Sequence, residues 1–218
     1  MNKVNYQKEL DKIIQKNGDK KPTLLLHSCC APCSSYCLEY LTQYFDITIF
    51  YFNPNISPES EYIKRVNEVQ RLLKEMPACS GVKFIGGRYE PKEFYECAKG
   101  LEDAPEGGER CLKCFRLRLG EAVRVAKELN ADYVCTTLTI SPMKSAENLN
   151  RIGEEEAQKA GMHWLPSDFK KRNGYKRSIE LSAEYDLFRQ DYCGCVFSKM
   201  EREAHKAEMA ALAEADAQ

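Results

Sequence analysis

Residues 23–37 read TLLLHSCCAPCSSYC and place four thiols, Cys29, Cys30, Cys33 and Cys37, within nine positions. Two further groups follow, Cys111-Leu112-Lys113-Cys114 and Cys193-Gly194-Cys195. Thiols clustered in this way serve metal binding or redox chemistry rather than core filling. The apolar run Leu24-Leu25-Leu26 predicts a buried strand that delivers Cys29 and Cys30 at its carboxyl end. Open α/β sheets bind ligands at that edge. Cys111 and Cys114 open a predicted helix at i and i+3, on one face near the positive dipole end, where thiolates are favoured.

Two ligands from a strand-end loop and two from a helix start can close a four-thiolate site. Cys33, in a C-x-x-C with Cys30, is a competing member. By ligand type, four thiolates suit structural zinc and an iron–sulfur cluster equally well. Placement on the active edge of a domain large enough to fold without metal favours the cluster. Cys193 and Cys195, separated by one glycine, can form a strained, easily reduced disulfide, or serve as further metal ligands. Cys79, Cys97 and Cys135 stand singly and read as inert buried thiols, and Cys37 as a packing residue.

The chain has 218 residues, eleven cysteines and a net charge of −1. That length suits one sizeable domain, and so balanced a charge excludes a whole-chain field for nucleic acid or membrane. No run approaches the roughly 18 apolar residues of a bilayer span, and the N-terminal residues lack a signal-peptide apolar region. We therefore expect a cytoplasmic protein with no membrane partner. In a reducing compartment, an odd number of unevenly spaced cysteines argues against a disulfide framework.

These groups must be positioned by alternating strands and helices. Strands are predicted at 23–28, 47–52, 82–85, 133–138 and 163–165, rich in β-branched and aromatic residues. Helices are predicted at 5–16, 34–44, from Pro58 to before Pro77, 91–99, 110–129, 146–161, 178–188 and 197–215. Ser57 is the expected cap of the third helix, with Pro58 at its first position. The alternation predicts a single α/β domain spanning 1–218, with a mostly parallel sheet, helices on both faces and an elaborated C-terminal half. Residues 1–20 are expected to be peripheral and 205–218 a frayed tail.

Residues 169–177 carry Lys170, Lys171, Arg172, Lys176 and Arg177 with interleaved aromatics and no acid. That composition suits phosphate contacts with base stacking, as on RNA-binding surfaces. Arg110, Lys113, Arg116 and Arg118 could extend the patch. The turn Asn53-Pro54-Asn55 lies at the same sheet edge as Cys29 and offers two amides to a substrate.

HSCCAPC at 27–33, YFNPNISPESEY at 51–62, RCLKCFRLRL at 110–119, TTLTISPMK at 136–144, SDFKKRNGYKRS at 167–178 and FRQDYCGCVFS at 188–198 together resemble the QueH-type epoxyqueuosine reductases. The resemblance covers roughly 23–200. It implies a fold similar to the PP-loop/HUP-type nucleotide-binding domains. The activity it implies is reduction of epoxyqueuosine to queuosine at the anticodon wobble position of tRNA, the last step of queuosine synthesis. Electrons would come from a donor that the sequence leaves unidentified. It further implies that Cys29, Cys30, Cys111 and Cys114 hold a 4Fe–4S cluster and that Cys193 and Cys195 are a redox-active pair. An additional iron ion is the alternative aid to epoxide opening. Asp191, Tyr192, Asp168 and His27 are the candidate proton donors, by their nearness in sequence to the cysteines. The loop after the first strand, Ser28-Cys29-Cys30-Ala31-Pro32, lacks the glycines of a phosphate cradle, so ATP use is not expected. Two alternatives stand beside this reading: a cluster-dependent tRNA thiolation enzyme, which would need such a cradle, and a zinc-stabilised, non-enzymatic RNA-binding protein.

Overall fold

The computed structural model describes residues 4–216, with side chains through residue 213. Five parallel strands form one sheet: β1 (Thr23–His27), β2 (Asp46–Tyr51), β3 (Lys83–Gly86), β4 (Tyr133–Thr136) and β5 (His163–Trp164), in spatial order β3-β2-β1-β4-β5. The helices are α1 (Tyr6–Asn17), α2 (Ala31–Leu41), α3 (Glu59–Glu75), α4 (Pro91–Ala98), α5 (Glu109–Glu128), α6 (Ala146–Ala160), α7 (Gly174–Glu184) and α8 (Val196–Asp216). The α/β expectation holds, and the sheet is parallel throughout. β1 is buried on both faces because its side chains alternate. Leu24 and Leu26 join the core with α2 and α3, while Leu25 joins the core with α5 and α6.

The strand order reverses between β1 and β4, whose ends pair His27 with Thr136. At such a switch point the loops leave in opposite directions and open a crevice. The loop carrying Cys29 and Cys30 starts there.

Several local expectations change. Pro58, not Ser57, occupies the α3 cap position, with no side-chain cap bond. Ser57 instead donates its backbone N–H to the Gly194 carbonyl at 3.0 Å, which ties the late cysteine loop to this turn. α7 begins at Gly174, so the second half of the basic segment is helical rather than loop. α1 is pinned by Leu10, which is fully buried in the α2 and α3 core. In the tail expected to fray from residue 205, α8 continues to Asp216, with its side chains exposed from Lys199 to Ala213; residues 217 and 218 lie outside the described residues.

Candidate active site

The loop after β1 is clamped from three sides. Ser28 donates its N–H to the Phe50 carbonyl at 2.9 Å, and its carbonyl accepts from Asn53 Nδ2 at 2.9 Å. Tyr51 donates its hydroxyl to the Cys29 carbonyl at 3.3 Å, and Ser34 Oγ donates to the Cys30 carbonyl at 2.8 Å. Cys30 then caps α2 in extended backbone, and Pro32 fits the first turn because its missing N–H would be unpaired there anyway. Cys33 is one turn into α2, and helical side chains lean toward the N-terminus. Its sulfur thereby joins the other two: the Sγ atoms of Cys29, Cys30 and Cys33 all lie within 4.8 Å of one another. The first two are 3.7 Å apart.

This trio is the group of three or more potential ligands that meets that spacing among the described residues, and it could hold a metal ion. Of the expected quartet, Cys29 and Cys30 are in this trio, while Cys111 and Cys114 are not within that spacing of it. Cys33, left open by the sequence, belongs with Cys29 and Cys30. Cys111 and Cys114 instead line a narrow second pocket with Cys193, Cys195, Asn55 and Phe94. Geometry explains the split: α5 enters beside α4 and the late cysteine loop. Cys114 and Cys195 share a small core with Phe94 and Ala98 there, and Cys97 packs against it. Cys193 lines both spaces, the narrow pocket and a cavity of about 540 Å³ that also exposes Cys29 and Cys33. All these cysteines are free thiols. Gly194, at φ +120°, is confined by Arg65 and Ile56, so a side chain there would displace the loop.

Charge in the site is unequal. The Cys29 thiol is held well below its ordinary range, first by hydrogen bonding from the Cys30 and Cys33 thiols, then by Arg118 and Lys144. Cys30 is pushed up to about 12 by the same bond to Cys29. Burial pushes Cys111 and Cys114 up, which outweighs the helix-end advantage expected for them. Burial also works against the Lys144 charge, but Cys193, Cys29 and Cys33 around it raise its pKa overall. Lys144 was missed as a site residue. The signal was present, since Ser141-Pro142-Met143-Lys144 leaves the sheet at the same carboxyl edge as Cys29.

Of the candidate proton donors, Asp191 and Tyr192 line the large cavity. His27 does not: it is fully buried, with Nδ1 at 2.9 Å from Thr136 Oγ1 and Nε2 at 3.1 Å from the Phe52 carbonyl. Burial first, then Arg118, lowers its pKa to about 3, so the neutral ring braces β1 against its neighbours. Asp168 is paired with Lys170 at 2.7 Å and lines neither the large cavity nor the narrow pocket. Asn53 turns inward to position Ser28 and Arg118, whereas the buried Asn55 Oδ1 has no partner among the described residues, and Asn55 lines the narrow pocket.

The basic segment is largely neutralised. Arg172 pairs with Asp11 at 2.5 Å and Arg177 with Glu39 at 2.6 Å, leaving Lys171 and Lys176 exposed without an ion-pair partner among the described residues. Arg110 and Arg118 are buried rather than on the surface, and Arg116 pairs with Glu155. No helix among the described residues is long and apolar enough to cross a membrane.

A family model described as epoxyqueuosine reductase QueH matches residues 24–201. The protein named epoxyqueuosine reductase QueH of Staphylococcus epidermidis is 46% identical over 207 residues, covering 92% of this chain and 87% of its own length. That of Streptococcus pyogenes is 44% identical, covering 90% and 78% respectively. The more distant protein of that name from Thermotoga maritima is 34% identical, covering 86% and 95%. With thiol groups at the switch point and a match along nearly the whole chain, the protein belongs to the QueH family of epoxyqueuosine reductases.

Proposed function

We propose that this chain reduces the epoxide of epoxyqueuosine in tRNA to the alkene of queuosine, using a thiolate-held iron–sulfur cluster. The observation that carries the reading is the convergence of the Cys29, Cys30 and Cys33 sulfurs beside a cavity whose wall Cys29, Cys33 and Cys193 line. Family membership supports the substrate.

The residues fit an anionic sulfide-containing group. Arg118 Nε and Nη1 and Arg65 Nη2 are buried donors with no partner among the described residues. Such donors can hydrogen-bond to cluster sulfur, and soft thiolates are its ligands. In this reading Cys29, Cys30 and Cys33 hold a 4Fe–4S cluster, which supplies electrons one at a time. Cys193 and Cys195 act as the redox-active pair. An additional iron at Cys111 and Cys114 is a second way of completing the site, favoured by the unpartnered Asn55 Oδ1 in that pocket.

Opening the epoxide to an alkene consumes two electrons and two protons and releases water. A cavity of about 540 Å³ is within the range that encloses a nucleoside-sized ligand. Lys144 and Tyr192 both line this cavity, so a cation and an O–H donor are available there to an epoxide oxygen that enters it. Cys193 reaches the cavity from the loop held by Ser57 and Arg65, which donates to the Cys193 carbonyl at 3.1 Å.

Protein purified and reconstituted without oxygen tests the proposal. It should carry about four iron and four sulfide per chain, or about five iron with the additional site filled. Nucleoside mass spectrometry should show epoxyqueuosine in tRNA converted to queuosine. Zinc alone, with no conversion under a chemical reductant, would overturn the reading.

A further inference from the structure

The large cavity opens between the first turns of α8 and the turn at 141–144 that follows β4. Its lining carries five Lys and Arg side chains against three acids, Glu106, Asp191 and Glu201, although the whole chain has a charge of −1. Arg189 is exposed, and among the described residues its guanidinium hydrogen-bonds only neutral groups, the Ser178 carbonyl at 3.4 Å and Ser182 Oγ at 3.0 Å. Arg202 and Lys206 share a single carboxylate, Asp191. On the same rim Tyr175 is 36% exposed and Met143 73% exposed.

A nucleoside that reacts while still in an RNA chain leaves its neighbouring phosphates and bases at the mouth of the cavity that admits it. Phosphates require cations that are not already neutralised, and unstacked bases require exposed flat or apolar side chains. This rim has both, next to the thiols. We propose that it seats the RNA on either side of the modified nucleoside, with Arg189 and Arg202 on phosphates and Tyr175 and Met143 against flanking bases. The proposal rests on the reductase reading above. It moves the phosphate contacts from the cations of the 170–177 stretch to Arg189 and Arg202, and keeps Tyr175 of that stretch as a base contact.

Binding of an anticodon stem-loop RNA, followed by fluorescence anisotropy from about 50 to about 200 mM salt, tests it. Arg189→Ala and Arg202→Ala should each weaken binding about fivefold or more and reduce the salt slope by about one. Tyr175→Ala should weaken binding about tenfold with the slope unchanged. Arg124→Ala, an α5 residue already paired with Glu121 and Glu128, should change neither. Unchanged binding in all three rim variants overturns the proposal, while wild-type tRNA reduction in the same samples leaves the reductase reading standing. Normal RNA binding with slowed turnover also overturns it, and assigns the rim to a protein electron donor. A wild-type chain that neither binds the RNA nor reduces tRNA removes both.

Discussion

Arg118 donates from Nη2 to Oδ1 of Asn53 at 2.5 Å, and the same Asn53 amide donates to the Ser28 carbonyl. One side chain therefore couples helix α5 to the loop that carries the first thiols. The guanidinium is 1% exposed and has no carboxylate within 4 Å among the described residues. Its close sulfur neighbours are those of Cys114, Cys193 and Cys29, of which Cys29 is the one held toward the thiolate. A charge buried in this way is costly unless those sulfurs, or a group bound to them, supply the counter-charge.

That arrangement separates stability from metal binding. With metal removed, Arg118→Met should melt no lower than wild type, because the apolar side chain relieves an uncompensated charge. After anaerobic reconstitution it should retain less than half the iron of wild type, while Arg118→Lys retains most of it. Thermal melts of the metal-free proteins and iron assays of the reconstituted ones check both halves. Full iron retention in Arg118→Met would mean that the arginine only fills space.

Cys33 and Cys37 are four residues apart on α2 but face different surroundings. Cys33 meets Cys29 and Cys30, whereas Cys37 is fully buried in the core. Cys33→Ser should therefore lose iron as severely as Cys29→Ser. Cys37→Ala should keep it, at a stability cost of about 1 kcal/mol for a lost buried sulfur. Equal iron in Cys33→Ser and wild type would return the ligand set to Cys29 and Cys30 with the α5 pair.

The architecture was legible because hydrophobic period and turn residues agree along the chain. Leu24–Leu26 and Ile47–Phe52 are too apolar and too short for anything but buried parallel strands, and the thiols follow the first of them. Contacts between distant segments were not legible. Cys33 joins Cys29 because α2 starts at Ala31 rather than a turn later, and Cys111 meets Cys193 only through packing of α5 against the late loop. Lys170, Arg172 and Arg177 looked free because two of their acids, Asp11 and Glu39, are remote in sequence and only Asp168 is near. Lys144 carried no local mark beyond its place after β4.

The sheet edge away from the site has a pH-sensitive tie. Asp132 accepts from both the N–H and the hydroxyl of Thr23 at 2.8 Å, joining the starts of β4 and β1. The side-chain bond first, then the backbone bond, lowers the Asp132 pKa. Because the folded value lies below the unfolded one, the stabilisation is present above the unfolded pKa of about 4 and is lost as pH falls through the folded value. Asp132 is exposed, so solvent screening limits the effect to about 1 kcal/mol or less. Asp132→Ala should lose that amount at neutral pH, and its stability should fall less steeply than that of wild type below about pH 4. Parallel acid limbs in denaturant midpoints would dismiss the tie.

On the opposite edge, Asn150 satisfies every group around it. Its Oδ1 accepts from Trp164 Nε1 at 3.0 Å and from Ser167 N–H at 2.9 Å, and its Nδ2 donates to the Ala146 and Ser167 carbonyls at 2.7 and 2.8 Å. Asn150→Ala strands buried donors and acceptors and should cost about 3 kcal/mol, or roughly 6–12 °C in Tm. One turn along α6, Gly153 lies against the Trp164 ring so closely that a Cβ would collide with it. Gly153→Ala should cost about 1–3 kcal/mol through displacement of that ring. Both changes act on Trp164, so the double variant should lose less than the sum of the singles. Strict additivity in a double-mutant cycle would show that the glycine and the asparagine hold the β5 edge independently.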